Sequence, residues 1–323
     1  MVRRFSCFKS IAGSGEWAVE CTSYCVRRHW IAIIGITALA SATTLARSPN
    51  PDLTRAEELY RRTEYGRVID ALQALDGRDA ASHALLGKAY FMEGQYKEAV
   101  ATLEKAVGED TLNSDYCDWL GRAYGSLAEG SGFLSALGYA KKTVRAFERA
   151  VELGPSNLEA LSDLFEYYLQ APGMVGGGLD KAEEIARRIA GLNEAEYHWA
   201  SARLAEKRKD PAAAEQEFRA AMLAAPSEVG RTLDLATFLS SRGRYGESEA
   251  LFRTAEEKHP NSPKVLYAHA AAYIQSKREL DEAETLLERY LELQTTPEEP
   301  PRREAAALLK SARDLRSKSR QAE

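Results

Sequence analysis

The sequence predicts an all-α solenoid, and three observations carry that prediction. A 34-residue pattern recurs, intact or worn, from about residue 80 to residue 296. Within each copy, apolar and small residues fall three and four apart, the period of one helix face. Each run is then cut by a glycine-bearing turn or a proline, so the helices come in short pairs. One such hairpin cannot bury its apolar face alone and needs copies on either side.

Val229 to Ser262, VGRTLDLATFLSSRGRYGESEALFRTAEEKHPNS, is the most regular copy. Leu235 and Leu239 lie one turn apart on a first helix with small Ala236 between them. Arg242-Gly243-Arg244 breaks that helix, because glycine supplies the left-handed conformation that ends it. Tyr245, Ser248, Phe252 and Ala255 mark one face of a second helix, and Pro260 stops it. This arrangement of small and aromatic positions resembles the tetratricopeptide repeat (TPR). The resemblance implies a right-handed superhelix of helix–turn–helix units whose role is to hold another protein or peptide.

The leader comes first in chain order. Arg27-Arg28, an apolar run from Trp30 to about Ala40, small residues at Ala42, Thr44 and Ala46, and then Pro49 have the layout of a secretory signal. The run is short for a membrane span, which needs about 20 apolar residues. Export to a bacterial periplasm is therefore expected, with an inner-membrane anchor over residues 30–46 as the alternative. The mixed leader ahead of it, holding Glu16 and Glu20, suggests a translation start near Val26 instead of Met1. Residues 1–46 hold five Lys/Arg and two Asp/Glu, so without them the formal charge moves from -5 to -8. No basic excess points to nucleic acid.

Residues 47–79 read as a worn opening unit or cap, with Leu59, Tyr65, Val68 and Leu72 keeping part of the pattern. About six units are expected over residues 80–296. The first, Ala80 to Asn113, carries Leu86, Gly87, Tyr90, Gly94, Tyr96, Ala99, Leu103 and Ala106. In the second, Leu120-Gly121 and Tyr124 follow 34 residues later, and Cys117 reads as a buried small hydrophobe. This unit closes ten residues late, so residues 128–142 are expected to be an expanded turn. The third unit has a second expanded turn near residues 171–181. The two should lie near each other along one edge, where insertions often carry function. Together with Pro172-Gly173-Met174-Val175-Gly176-Gly177-Gly178-Leu179-Asp180-Lys181-Ala182, they resemble a bacterial TPR subgroup without an assigned biochemical role.

The fourth unit, Ala195 to Glu228, departs from the pattern at Ser201 and Ala202 and recovers through Ala214, Phe218 and Ala221. The fifth is the regular copy, and the sixth begins at Pro263. Residues 297–323 hold an amphipathic helix, Arg302 to Lys318, with its apolar side on Ala305, Leu308, Leu309, Ala312 and Leu315. A polar-backed terminal helix ends a solenoid without exposing its core.

No catalytic, cofactor or metal site emerges. The triple glycine lacks the spacing of a phosphate-binding loop, and no G-x-S-x-G elbow occurs. His83, His198, His259 and His269 form no metal-binding pair. The family resemblance instead assigns the groove to positions on the first helix of each unit. Carried over, these include Lys88 and Phe91, Asp118 and Arg122, Glu166, Trp199 and Arg203, Thr237, Tyr267 and Gln275. Lys88, Arg122 and Arg203 share one repeat position and would suit an acidic side chain or a terminal carboxylate. The same charges on a helix face also read as ordinary solvated groups. Trp199 is the foremost contact candidate, an indole on an open face.

Overall fold

Four of the first helices begin in the same way. An asparagine or aspartate side chain caps the open amide end: Asp79 accepts from the Ser82 amide, Asn113 from Tyr116, Asn157 from Ala160 and Asn193 from Glu196, while Asp210 caps a second helix through Ala213. The computed structural model describes residues 51–322, which hold fifteen α-helices and no strand. The expected signal, anchor and alternative start lie outside these residues. No described helix is long and apolar enough to cross a membrane.

The helices pair in order. They are α1 (Pro51–Arg61) with α2 (Tyr65–Gln73), α3 (Ala80–Met92) with α4 (Tyr96–Glu109), and α5 (Ser114–Glu129) with α6 (Phe133–Leu153). Then come α7 (Leu158–Gln170) with α8 (Leu179–Ala190), α9 (Glu194–Lys207) with α10 (Pro211–Ala224), α11 (Val229–Ser241) with α12 (Tyr245–Lys258), and α13 (Pro263–Ser276) with α14 (Leu280–Glu292). A final helix, α15 (Arg302–Ala322), packs on α13 and α14.

Within a pair the backbones approach closely enough to exclude a side chain. A Cβ on Gly87 would sit 2.6 Å from Leu103, and one on Gly121 would sit 2.5 Å from Phe147. Aromatic and aliphatic side chains fill the space between units: Phe147, Phe165, Phe218, Phe252 and Tyr290 are fully buried. Cys117 is buried too, and burial pushes its thiol up. Gly94 and Gly243 take φ of 77° and 75° at the turns inside their pairs.

Two expectations change. Residues 128–142 do not form an expanded turn. The turn is short, and the extra residues lengthen the helices to 16 residues in α5 and 21 in α6, against 13 and 14 in α11 and α12. The second expansion is a turn, built on a short 3₁₀ segment, Gly173–Val175. Gly177 is required sterically, since a Cβ there would lie 1.8 Å from the Ala171 carbonyl oxygen, and Gly176 takes a φ of 98°. Tyr167 ties the two regions together, donating to the carbonyls of Ala140 at 2.8 Å and Val175 at 2.7 Å. Tyr245 also differs from expectation. It is part-exposed and covered by the Arg278 guanidinium, 3.9 Å from its ring centre.

The array does not end in an open helix. Its last segment returns to the first pairs. Arg303 donates to the backbone carbonyls of Met92 at 2.8 Å and Phe91 at 3.4 Å, and to the Tyr96 hydroxyl at 2.9 Å. Nearby, the Thr63 and Thr295 hydroxyls lie 3.4 Å apart. These contacts close the solenoid into a ring.

Candidate partner-binding site

The charged residues on the inner helices are laced to one another. Arg122 on α5 is 2 % exposed, and its guanidinium pairs with Asp118 at 2.9 Å, with Glu159 at 3.3 Å and with Asp163. It also lies over the Trp119 ring, 4.8 Å from the centre. One unit on, Glu166 of α7 accepts from Arg203 of α9 at 3.0 Å. Glu196 of α9 accepts from Ser162 at 2.9 Å and pairs with Arg231 of α11. The Ser162–Glu196 and Glu196–Arg231 partners are 34 and 35 residues apart, one repeat, so the ladder bolts α5 to α7, α7 to α9 and α9 to α11.

Burial sets the electrostatics of this ladder. Asp118 is 2 % exposed, and desolvation outweighs the pull of Arg122, holding its carboxyl well above the usual carboxylate range. Its Oδ1 is buried with no hydrogen-bond partner. Burial opposes the charge on Arg122, but Asp163 and Asp118 outweigh it and raise its pKa. Arg203 behaves alike, with Glu166 the main offset. Lys88 is shifted down, chiefly by burial, and its ammonium lies 5.2 Å from the Trp119 ring centre.

The sequence-predicted residues therefore part into two groups. Asp118, Arg122, Glu166 and Arg203 are neither solvated charges nor open clamps, because each is consumed by the ladder. Trp199 is half-buried, not on an open face: it packs against Phe165 at 5.9 Å and lies under Arg231. Lys88 is part-buried beside Trp119. Tyr267, with Phe91, Thr237 and Gln275, lines a central cavity of about 430 Å³. Reasoning from the repeat missed the rest of that cavity, notably Tyr96, Glu298, Pro300, Pro301, Glu304 and Leu308, which arrive only through ring closure. Burial and then Glu304 push the Tyr267 phenol up to about 12, so it stays neutral.

Three histidines face neighbours, though the Nδ1 of His269 is buried without a hydrogen-bond partner. His83 faces Glu109 at 3.0 Å, His198 faces Glu217 at 2.7 Å, and His269 stacks on Phe252 at 4.3 Å. Among the described residues no group of three or more His, Cys, Asp or Glu is placed to hold a metal ion. On the edge that bears the lengthened hairpin, Phe133 and Leu134 are 54 % and 82 % exposed, and Met174 in the neighbouring turn is 62 % exposed.

Models of the tetratricopeptide repeat match residues 80–110 and 239–299. No curated protein matches the chain. A tetratricopeptide repeat protein from Parabacteroides merdae superposes with a TM-score of 0.53 at 15% identity, covering 81% of this chain and 98% of its own. A thermophilic TPR protein from Thermus thermophilus gives a TM-score of 0.47 at 18% identity, covering 62% of this chain and 98% of its own. The first of these likenesses is one of fold.

Proposed function

We propose, from the premise that this chain is a tetratricopeptide-repeat protein, that it is a non-catalytic scaffold holding a protein or peptide partner. The observation that carries this reading is the cavity of about 430 Å³ on the inner face, whose walls include Phe91, Thr237, Tyr267 and Gln275. The ion-pair ladder makes the inner helices one braced surface, so recognition proceeds with little internal rearrangement. The edge bearing Phe133, Leu134 and Met174 offers a second contact region. Export belongs to the same proposal and rests on residues 26–46 alone. Fractionation with intact mass tests it: a soluble chain starting near Arg47 supports export with cleavage, and a membrane-retained full-length chain supports the anchor.

Site-specific photocrosslinking tests the scaffold reading. A photoreactive side chain at Tyr267 or at Met174 is expected to form an adduct with another polypeptide in cells, whereas one at exposed Glu257 on α12 serves as the control. Adducts from neither Tyr267 nor Met174 would overturn it.

A further inference from the structure

We infer that the edge formed by the start of α6 and the Gly173–Val175 turn docks on an anionic lipid surface, with Phe133, Leu134 and Met174 entering the headgroup layer. The inference goes beyond the scaffold reading and does not rest on it, since none of these three side chains lines the chamber.

The apolar part sits on an extension of the fold. Phe133 opens the helix that the insertion lengthened to 21 residues, and it, Leu134 and Met174 are exposed. The turn is held against the same helix: Tyr167 bonds carbonyls on both, and Val144 lies behind Gly176. Leu112 and Leu223 are exposed as well, but singly, which is ordinary for a folded surface. This edge differs in grouping large apolar side chains beside unpaired cations.

Charge selects the occupant. From Gly130 to Phe147 the chain carries no acid, while Lys141, Lys142 and Arg145 fall within that stretch. This runs against a formal charge of -5 for the whole chain. Leu134, Gly138, Lys141 and Arg145 recur at three- and four-residue spacing and form one exposed stripe of α6, about 16 Å long. Among the described residues Lys141 and Arg145 form no ion pair or hydrogen bond. Lys142 and Lys181 are not counted, because each lies over a tyrosine ring, Tyr124 and Tyr168. The nearby acids are engaged or balanced: Glu148 accepts from Tyr168 at 2.7 Å, Glu152 pairs with Arg149 at 3.2 Å, and Asp180 stands beside Lys181.

A protein is the poorer fit. Three side chains of at most about 250 Å² each fall short of the roughly 800 Å² that a standard interface buries on one partner. A bilayer needs no matching surface. Apolar tips enter its headgroup layer, and the cations behind them meet lipid phosphates at the end of long, flexible stems.

Vesicle flotation of the chain from Arg47 onward tests this. That chain holds all fifteen described helices and lacks the apolar leader. Vesicles of equal parts phosphatidylglycerol and phosphatidylcholine are expected to carry it, with binding fading at high salt, and vesicles of phosphatidylcholine alone to bind it about tenfold less tightly. Phe133→Ser with Leu134→Ser, and separately Lys141→Gln with Arg145→Gln, are each expected to lower binding about tenfold while helical circular dichroism is kept. Leu223→Ser, at a comparably exposed leucine outside the edge, is expected to change nothing. From Arg47 onward Cys117 is the one cysteine, and it is buried, so an environment-sensitive dye on Leu134→Cys reports the tip alone. A blue shift on anionic vesicles is expected there and not with the dye on Glu257→Cys. No flotation, equal flotation on both vesicles, or indifference to either double substitution overturns the inference. So does a polypeptide adduct at Met174 without flotation, which would make the edge a protein-docking surface and leave the scaffold reading standing. Flotation with no adduct at either Tyr267 or Met174 would keep the lipid edge and reject the scaffold.

Discussion

The Arg303 Nε donates to the Met92 carbonyl oxygen at 2.8 Å, across 211 residues of chain. This contact turns a row of hairpins into a ring. Arg303→Met removes three hydrogen bonds from a charged donor, each worth about 1 kcal/mol or more when sheltered and less here, where the side chain is partly exposed. Small-angle scattering is expected to show a larger radius of gyration, with unchanged helical content.

Gly94 and Gly243 separate the clasp from ordinary turn strain. Both sit near φ +75°, at 77° and 75°, where alanine costs about 1–2 kcal/mol. A Cβ on Gly94 would lie 2.9 Å from the Arg303 guanidinium, while nothing lies within 4 Å of one on Gly243. Gly94→Ala is therefore expected to open the ring as well as lower stability. Gly243→Ala is expected to lower stability alone, as scattering and urea unfolding together report.

Helix propensity and packing pull Gly121 in opposite directions. Replacing a helix-interior glycine by alanine ordinarily stabilises by about 0.5–1 kcal/mol. Here the new methyl would meet the Phe147 ring at 2.5 Å, and overpacking costs about 1–3 kcal/mol. Packing wins, and Gly121→Ala should lower the urea midpoint.

Arg122 contacts three carboxyl groups while 2 % exposed, and Asp163 and Glu159 are the anions among them. Arg122→Met strands Asp163, while the more exposed Glu159 stays solvated, and breaking a buried pair from one side costs about 3–5 kcal/mol. Urea unfolding should register a loss of that order. Arg122→Lys should recover only part of it, because an ammonium lacks the planar fork.

Asp118 gives the pH dependence. Its pKa is raised in the folded chain, so the neutral form is the one the fold favours. That stabilising contribution is complete below the unfolded value of about 3.9 and is lost as pH rises through the raised pKa. Asp118→Asn keeps a neutral side chain at every pH. It is expected to raise the thermal midpoint relative to the parent near pH 8 and to leave it little changed near pH 4. A midpoint equally lowered at both would refute a protonated Asp118.

What the sequence revealed depended on whether a feature is local. Leu235, Leu239, Phe252 and Ala255 are buried where the period put them, because an amphipathic face is written into spacing. Gly243 takes the left-handed turn for the same kind of reason. The lengthened α5–α6 hairpin was not legible as helix, since Gly130, Gly132 and Gly138 resemble loop punctuation while packing decides the outcome. The ladder was hidden because Arg122 meets Asp163 and Glu159 only after the insertion shifts the repeat register. The clasp was hidden more deeply. Arg303 reads backbone carbonyls, and a carbonyl leaves no mark in a sequence.

Closure also changes how the molecule can come apart. A linear repeat array frays from its terminal units, each of which has one neighbour, and partial melting is its ordinary mode. With Thr63 beside Thr295 and Arg303 bonded to the α3–α4 turn, the outermost described units are joined at a seam of side-chain hydrogen bonds. Opening of the ring resembles the breaking of a hoop: a single rupture at the seam precedes any unravelling, and proteolysis of the described body should wait on that event.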